Sequence, residues 1–296
     1  MLPPPFADIK KFLNEQVGKI EMRKLELREV QLMEFEILKE YDRVCRKHQL
    51  RYTLGGGTLL GAVRHKGFIP WDNDIDVAMP RADYHKFLKL ASMELPKHLK
   101  MYTPYNSDSR FSYSKILDLR TIDVEFQHCK EQPLRLYIDI FPLDGMQGTE
   151  QERKKRKNKV IRYVKWMHRL KEAKYKKKEA HGLQAAAWYM LSVVNCLVPR
   201  HFLIKYIDRY AAKYDFDTSE YVGCVIGGAG GYKELIKREE YAMTGEAEFE
   251  GCRFMTLKNT DLYLSNLYGD YMQLPPVEDR VTHSDTFYLL ENTKQP

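Results

Sequence analysis

The chain has 296 residues, 44% apolar and 30% charged, enough to bury a sizeable core and too apolar for default disorder. Its net charge of +7 sits in one segment, since residues 153–178 hold 14 Lys or Arg against one Glu and the remainder carries 34 basic and 40 acidic residues. No apolar run reaches the roughly eighteen residues of a membrane span, residues 183–198 being broken by Gln184, Ser192 and Asn195, and MLPPPFADIKKF lacks a signal-peptide core, so a cytoplasmic location is expected.

The N-terminal region reads as a helix pair. Val30, Met33, Ile37, Tyr41, Val44 and His48 recur at a spacing of three to four, with His48 a structural residue at a helix end. Tyr52 to Leu54 is a short strand running into Gly55, Gly56 and Gly57, and Thr58 opens a helical turn. Strand, glycine turn and helix start form a phosphate cradle, because glycines let backbone N–H groups approach an anion and the helix N-terminus adds partial positive charge. Gly56, Gly57 and Thr58 are the candidate phosphate grips, with Arg64 and His65 as nearby cations. The turn is not a Walker loop, because no Lys-Ser or Lys-Thr follows, and it lacks the dinucleotide-binding glycine spacing.

Asp72, Asp74 and Asp76 follow, two residues apart in a run beginning near Trp71 and ended by Pro80. On a strand these side chains share one face while Asn73, Ile75 and Val77 take the other. Grouped carboxylates repel one another without a cation, and hard oxygen ligands suit Mg2+ or Mn2+ better than zinc. A calcium loop can also be counted from Asp72, Asp74, Asp76 and Asp83, but it needs glycine where Val77 stands. A solvated acidic edge is poorly matched to the neighbouring Ile, Val and Trp.

Further along, a helix is expected over residues 82–91, and strands over 111–117 and 121–126. A strand over 136–141 is interrupted by Asp139, with Asp144 beyond Pro142 expected in a turn. Burying Asp139 is costly unless it meets a cation. Residues 150–215 read as two to four helices, the first capped by Thr149 and Glu152, with Val160, Val164, Met167 and Leu170 on one face of a basic amphipathic helix. Such a helix can be a solvated face or can meet anionic lipid, a phosphate-rich polymer or nucleic acid. Gly227, Gly228, Gly230 and Gly231 suggest a mobile loop, and Glu250-Gly251 a hairpin turn. The five cysteines, with no CxxC pair, suggest reduced, mostly buried thiols.

The run GGTLLGAVRHKGFIPWDNDIDVAMPRADYHKFL resembles the central motif of the LicD/fukutin-type transferases, a branch of the polymerase-β-like nucleotidyltransferase superfamily, and the likeness continues through YIDIFPLDG, FEG and LYGDYMQLPP with Arg280 and His283. Thr256-Leu257-Lys258 departs from the pattern, where a proline is expected. The resemblance implies an α+β fold: a nucleotidyltransferase-like mixed sheet with N-terminal helices within 1–149, a basic helical segment at 150–215, and a C-terminal part at 216–296 completing the catalytic domain. It implies Asp139 as third carboxylate, so that Asp74, Asp76 and Asp139 hold Mg2+ or Mn2+, with Asp72 in support and Asp139 as general base. Lys115, in a Tyr113-Ser114-Lys115 segment like the family's, becomes a candidate phosphate countercharge. The implied reaction moves a phospho-alcohol, most familiarly phosphocholine from CDP-choline, to a hydroxyl of a cell-surface glycan such as lipopolysaccharide or of a teichoic acid precursor, with CMP leaving. Related branches move ribitol or glycerol phosphate. A trimethylammonium group would call for an aromatic cage that the sequence does not locate. Two rival readings stand beside it: transfer of the nucleotide itself to a small molecule or RNA, and a non-catalytic protein binding membrane or nucleic acid through residues 153–178. Peripheral contact with an anionic membrane through that segment is expected in preference to nucleic acid.

Overall fold

The computed structural model describes residues 20–105, 111–123, 135–176, 182–197, 200–227, 230–280 and 286–292. In chain order it forms β1 (Ile20–Lys24), α1 (Leu27–Lys47), β2 (Thr53–Leu54), α2 (Gly56–His65), β3 (Asp76–Pro80), α3 (Arg81–Glu94), β4 (Leu99–Tyr102), β5 (Ser114–Asp118), β6 (Thr121–Asp123) and β7 (Tyr137–Met146). These are followed by α4 (Glu150–Lys176), α5 (Gly182–Leu197), α6 (Arg200–Ala211), β8 (Tyr221–Cys224), β9 (Ile236–Lys237), β10 (Gly245–Phe249), β11 (Cys252–Thr256), α7 (Thr260–Tyr268) and β12 (Phe287–Asn292). The architecture is α+β.

The main sheet runs β2-β3-β7-β5-β4, with β8 paired to β7 and β9 to β8. Its β3–β7 pair is parallel and the others antiparallel. That parallel pair sets Asp76 directly opposite Asp139, and the β5–β7 register sets Lys115 opposite Asp139 on the other side. Three charged residues therefore stand in one row across three adjacent strands.

β7 is longer than the expected 136–141 segment, and Asp144 is a strand residue rather than part of a turn. Pro142 is tolerated because β5 pairs with residues 137–140 and β8 with 143–146, so the missing N–H falls between the two partners. Asp144 is 1% exposed. Arg81 binds it through Nε at 2.8 Å and Nη2 at 2.6 Å, and reaches Asp208 on α6 at 2.5 Å. One guanidinium thus ties α3, β7 and α6 together.

α1 starts with a reciprocal Glu26–Glu29 cap; of the residues anticipated on its inner face Val30, Ile37, Tyr41 and Val44 are buried and Met33 and His48 partly so, with Leu38 and Cys45 buried beside them. His48 ends it and lies 2.9 Å from Glu94, a structural role as expected. The other member of the expected helix pair would fall in residues 1–19, outside the described residues. β1 was not anticipated. It pairs with β12, which also pairs with β6, so the strand expected at 121–126 leaves the main sheet, its residues 124–126 lying outside the described residues. The Glu250-Gly251 turn does join β10 to β11, with φ of 50° and 77° at its two residues.

α4 carries the Thr149–Glu152 cap, with the Thr149 N–H donating to Glu152 at 2.7 Å. Val160 and Met167 pack with Ile204, Ile207, Val225 and Ile226 in a second core. Part of the basic run is structural. Arg153, Arg156 and Lys157 are buried. Lys157 donates to the carbonyls of Cys224 and Gly227, Arg156 to that of Tyr210, and Arg153 stacks 3.6 Å from the Tyr221 ring centroid. Lys154, Lys155, Arg162, Lys165 and Arg169 remain exposed. Among the described residues Cys45 and Cys224 are buried thiols and Cys252 is an exposed one.

Candidate active site

The glycine turn is fixed by β3. Gly55 donates its N–H to the Asp76 carbonyl at 2.9 Å, and Asp76 donates its own to Thr58 Oγ1 at 2.8 Å. Thr58, 3% exposed, is thereby a tether between α2 and the aspartate strand. Gly56 has φ of +43°, and a Cβ there would come within 3.1 Å of Asp76 Oδ2; a Cβ on Gly57 would come within 3.0 Å of Asp72 Oδ2. Glycine thus keeps the start of α2 open beside two carboxylates. No side chain caps α2, and Gly56 N–H meets the Tyr263 hydroxyl at 3.5 Å. A helix N-terminus in this state suits an anionic phosphate.

β3 begins at Asp76, so Asp72 and Asp74 lie in the segment preceding it and not on the strand itself. The alternation still holds: Asn73, Ile75 and Val77 are buried while Asp72, Asp74 and Asp76 are partly exposed. Asp76 has its carboxyl pushed well above the usual range by burial, then by Asp74 and Asp139, against a smaller pull from Lys115. Asp139, 8% exposed, is pushed up to about 6 by burial and Asp74, opposed by Lys115 and a hydrogen bond from Tyr113. Among the described residues no three carboxylate, histidine or cysteine side chains are already gathered at ligating distance. Their chemistry nonetheless fits a divalent cation: hard oxygen donors crowded until they resist ionising together, a conflict that a cation relieves.

Lys115 is fully enclosed, with its ammonium on Asp139 Oδ1 and the ring centroids of Tyr137, Phe111 and Tyr113 at 3.4, 4.2 and 5.3 Å. The structure places it as the counter-ion of Asp139. Burial lowers the affinity of this ammonium for its proton, and Asp139 opposes that effect.

Arg64 and His65 lie at the far end of α2, about 10 Å along the axis from Gly57 at 1.5 Å per residue. Arg64 donates to the Tyr271 carbonyl at 2.7 Å and to His65 at 2.9 Å. Neither lines the cleft at Asp76. Arg280 lies over Trp71 at 4.9 Å, and its charge, after burial, holds the Arg64 guanidinium below its ordinary value. His283, the other end of the family likeness, lies outside the described residues.

The cleft beside Asp76 also contains residues that the sequence reading passed over. Its lining includes Gly55, Gly56, Gly57 and Asp76 together with Phe141, Gly230, Glu234, Tyr241, Tyr263 and Tyr268. Gly230 comes from the glycine cluster read as a mobile loop, and it donates its N–H to Glu234 at 2.8 Å. Tyr268, from the YGDY segment, ends α7. No local spacing points to these residues, because separate stretches of the chain bring them together.

The family model described as LicD/FKTN/FKRP, nucleotidyltransferase domain matches residues 49–193, which contain all four aspartates, the glycine turn and Lys115. The lipopolysaccharide cholinephosphotransferase LicD of Haemophilus influenzae is 33% identical over 270 residues, covering 88% of this chain and 97% of that protein. An uncharacterised protein of Rickettsia typhi is 28% identical over 120 residues, covering 39% of this chain and 36% of its own length. With a full-length relative of that identity and an α+β fold carrying the motif residues in one row, the chain belongs to the LicD family of transferases.

Proposed function

We propose that this protein transfers phosphocholine from CDP-choline to a hydroxyl of a cell-surface glycan, releasing CMP. The observation that carries the reading is the Asp76–Asp139–Lys115 row beside the open start of α2. The Haemophilus relative, named for lipopolysaccharide cholinephosphotransfer, favours a lipopolysaccharide saccharide over a teichoic acid precursor as acceptor. Asp74, Asp76 and Asp139 would hold Mg2+ or Mn2+, which when bound would neutralise charge growing on the leaving phosphate. The amides of Gly56 and Gly57 hold the donor's phosphates. Asp139, held by the Lys115 ammonium, takes the proton of the acceptor hydroxyl. The acceptor oxygen bonds to the phosphorus bearing choline, the bond from that phosphorus to the bridging oxygen breaks, and CMP departs with that oxygen. Asp72, whose carbonyl is fixed by Gln31 at 2.8 Å, supports the turn.

A screen of CDP-alcohols with Mg2+ or Mn2+ and a saccharide acceptor tests this. CMP release from CDP-choline is expected, with loss in the Asp74→Asn, Asp76→Asn double variant. No metal-dependent CMP release from any CDP-alcohol would sink the proposal, and pyrophosphate release from a nucleoside triphosphate would replace it with nucleotidyl transfer.

The same reading places the enzyme at the cytoplasmic face of an anionic membrane. No helix among the described residues is long and apolar enough to cross one. α5 has no charged residue, and the part it exposes includes Leu183 at 92%, Met190 at 67% and Val193 at 43%, the reverse of an ordinary surface helix. It packs on α4, whose exposed lysines and arginines complement anionic headgroups. Sedimentation with phosphatidylglycerol vesicles should exceed that with phosphatidylcholine vesicles, weaken with salt, and fall in Leu183→Glu, Met190→Glu. Equal sedimentation with both vesicles, or self-association that the double variant abolishes, would reject the membrane contact.

A further inference from the structure

We propose that the cleft formed by Phe141, Glu234, Tyr241, Tyr263 and Tyr268 binds the quaternary ammonium head of the donor alcohol. This rests on the phosphocholine reading and assigns its specificity to particular residues. The cleft is continuous with the phosphate end: Gly56, Gly57 and Asp76 line it too. A head group one phosphate ester away from the glycine turn therefore enters among the aromatic rings.

The lining suits a cation without hydrogen-bond donors. Tyr241 and Tyr263 pack edge to face with centroids 5.9 Å apart, and Phe141 and Tyr268 complete an aromatic wall. Ring faces attract a quaternary ammonium through their quadrupoles. Glu234, 4% exposed, supplies negative charge, with its position fixed by the Gly230 N–H. Burial raises the Glu234 carboxyl, while the Lys157 ammonium, itself held by the carbonyls of Cys224 and Gly227, favours its ionised form. The Tyr263 hydroxyl already meets Gly56 N–H. Ribitol or glycerol heads would bring several hydroxyls, each needing a partner on burial. The cleft, about 80 Å3, is small beside the roughly 300 Å3 or more of typical organic-ligand pockets, which favours a head group over the cytosine nucleoside.

Binding to the full chain, followed by calorimetry, separates charge from shape. Choline should bind about tenfold or more tighter than 3,3-dimethylbutanol, its neutral isostere, if the rings and Glu234 read charge. Glu234→Gln, which preserves shape and the Gly230 contact, should reduce that preference. Tyr268→Ala should weaken CDP-choline relative to CDP-glycerol, and Tyr268→Phe, which keeps the ring, should restore it. Equal affinity for choline and its isostere, or a CDP-choline to CDP-glycerol ratio unchanged in both Glu234→Gln and Tyr268→Ala, would overturn the assignment. Each of those outcomes can occur while CMP release from CDP-choline persists, so the cleft and the overall reaction fail separately. Thermal melting of each variant identifies a folding defect, and equal affinity for choline and its isostere on the unaltered protein would overturn the proposal without any variant.

Discussion

Asp76→Asn is expected to lower CMP release by at least about 10²–10³-fold, the scale of losing one electrostatic group aimed at developing charge. Stability should move the other way. The Asp76 carboxyl is raised by burial and by Asp74 and Asp139, so its charge is a strain on the folded state. Asparagine removes that charge and leaves the backbone bonds to Thr58 and Gly55 in place. The melting temperature measured without divalent cation should be equal or higher, and titration with Mn2+ should show weaker binding. Retained activity would remove Asp76 from the site. A large fall in melting temperature would turn the activity loss into a folding effect.

Opposite signs for activity and stability are what a site built for an absent charge should give. One register step along, the same strands pair apolar residues, with Val77 facing Ile140. At the Asp76–Asp139 step they set two carboxylates side by side instead. Glycine at 56 and 57 follows the same logic, because any side chain there would press on Asp76 or Asp72 and cover the start of α2.

What could be read in advance was whatever a short stretch of chain determines. The alternation from Asp72 to Val77, the Thr149–Glu152 cap and the Glu250-Gly251 turn all depend on neighbours within a few residues. Asp139 needed the family likeness, since one aspartate in an apolar strand has no local partner to identify it. Three readings required contacts between distant segments. Asp144 looked like a turn residue because Pro142 precedes it, yet Arg81 and Asp208, 63 residues before it and far beyond it in sequence, explain its burial. Lys157 looked like one more charge in a solvated run, and only the carbonyls of Cys224 and Gly227 make its burial intelligible. Glu234 carried no motif at all. Its significance comes from sharing a cleft with Asp76 and Tyr268.

Lys115→Met is expected to destabilise the metal-free protein by about 3–5 kcal/mol, the usual cost of removing one partner from a buried ion pair. Methionine fills similar space, so the loss reports charge more than volume. Lys115 is 1% exposed, and its pairing with Asp139 opposes the burial that raises that carboxyl. Without the ammonium, Asp139 faces Asp74 and Asp76 with no cation of its own. Two further measurements separate this from loose packing. Mg2+ or Mn2+ should restore more stability to Lys115→Met than to the unaltered protein, because the ion replaces the missing charge. Adding Asp139→Asn should recover most of the lost stability in denaturant titration, since no unpaired buried charge remains, and should leave CMP release abolished. The two substitutions would then be strongly non-additive in stability. Additive losses would mean that Lys115 contributes through its contacts with Phe111, Tyr113 and Tyr137, and that Asp139 does not depend on it for charge.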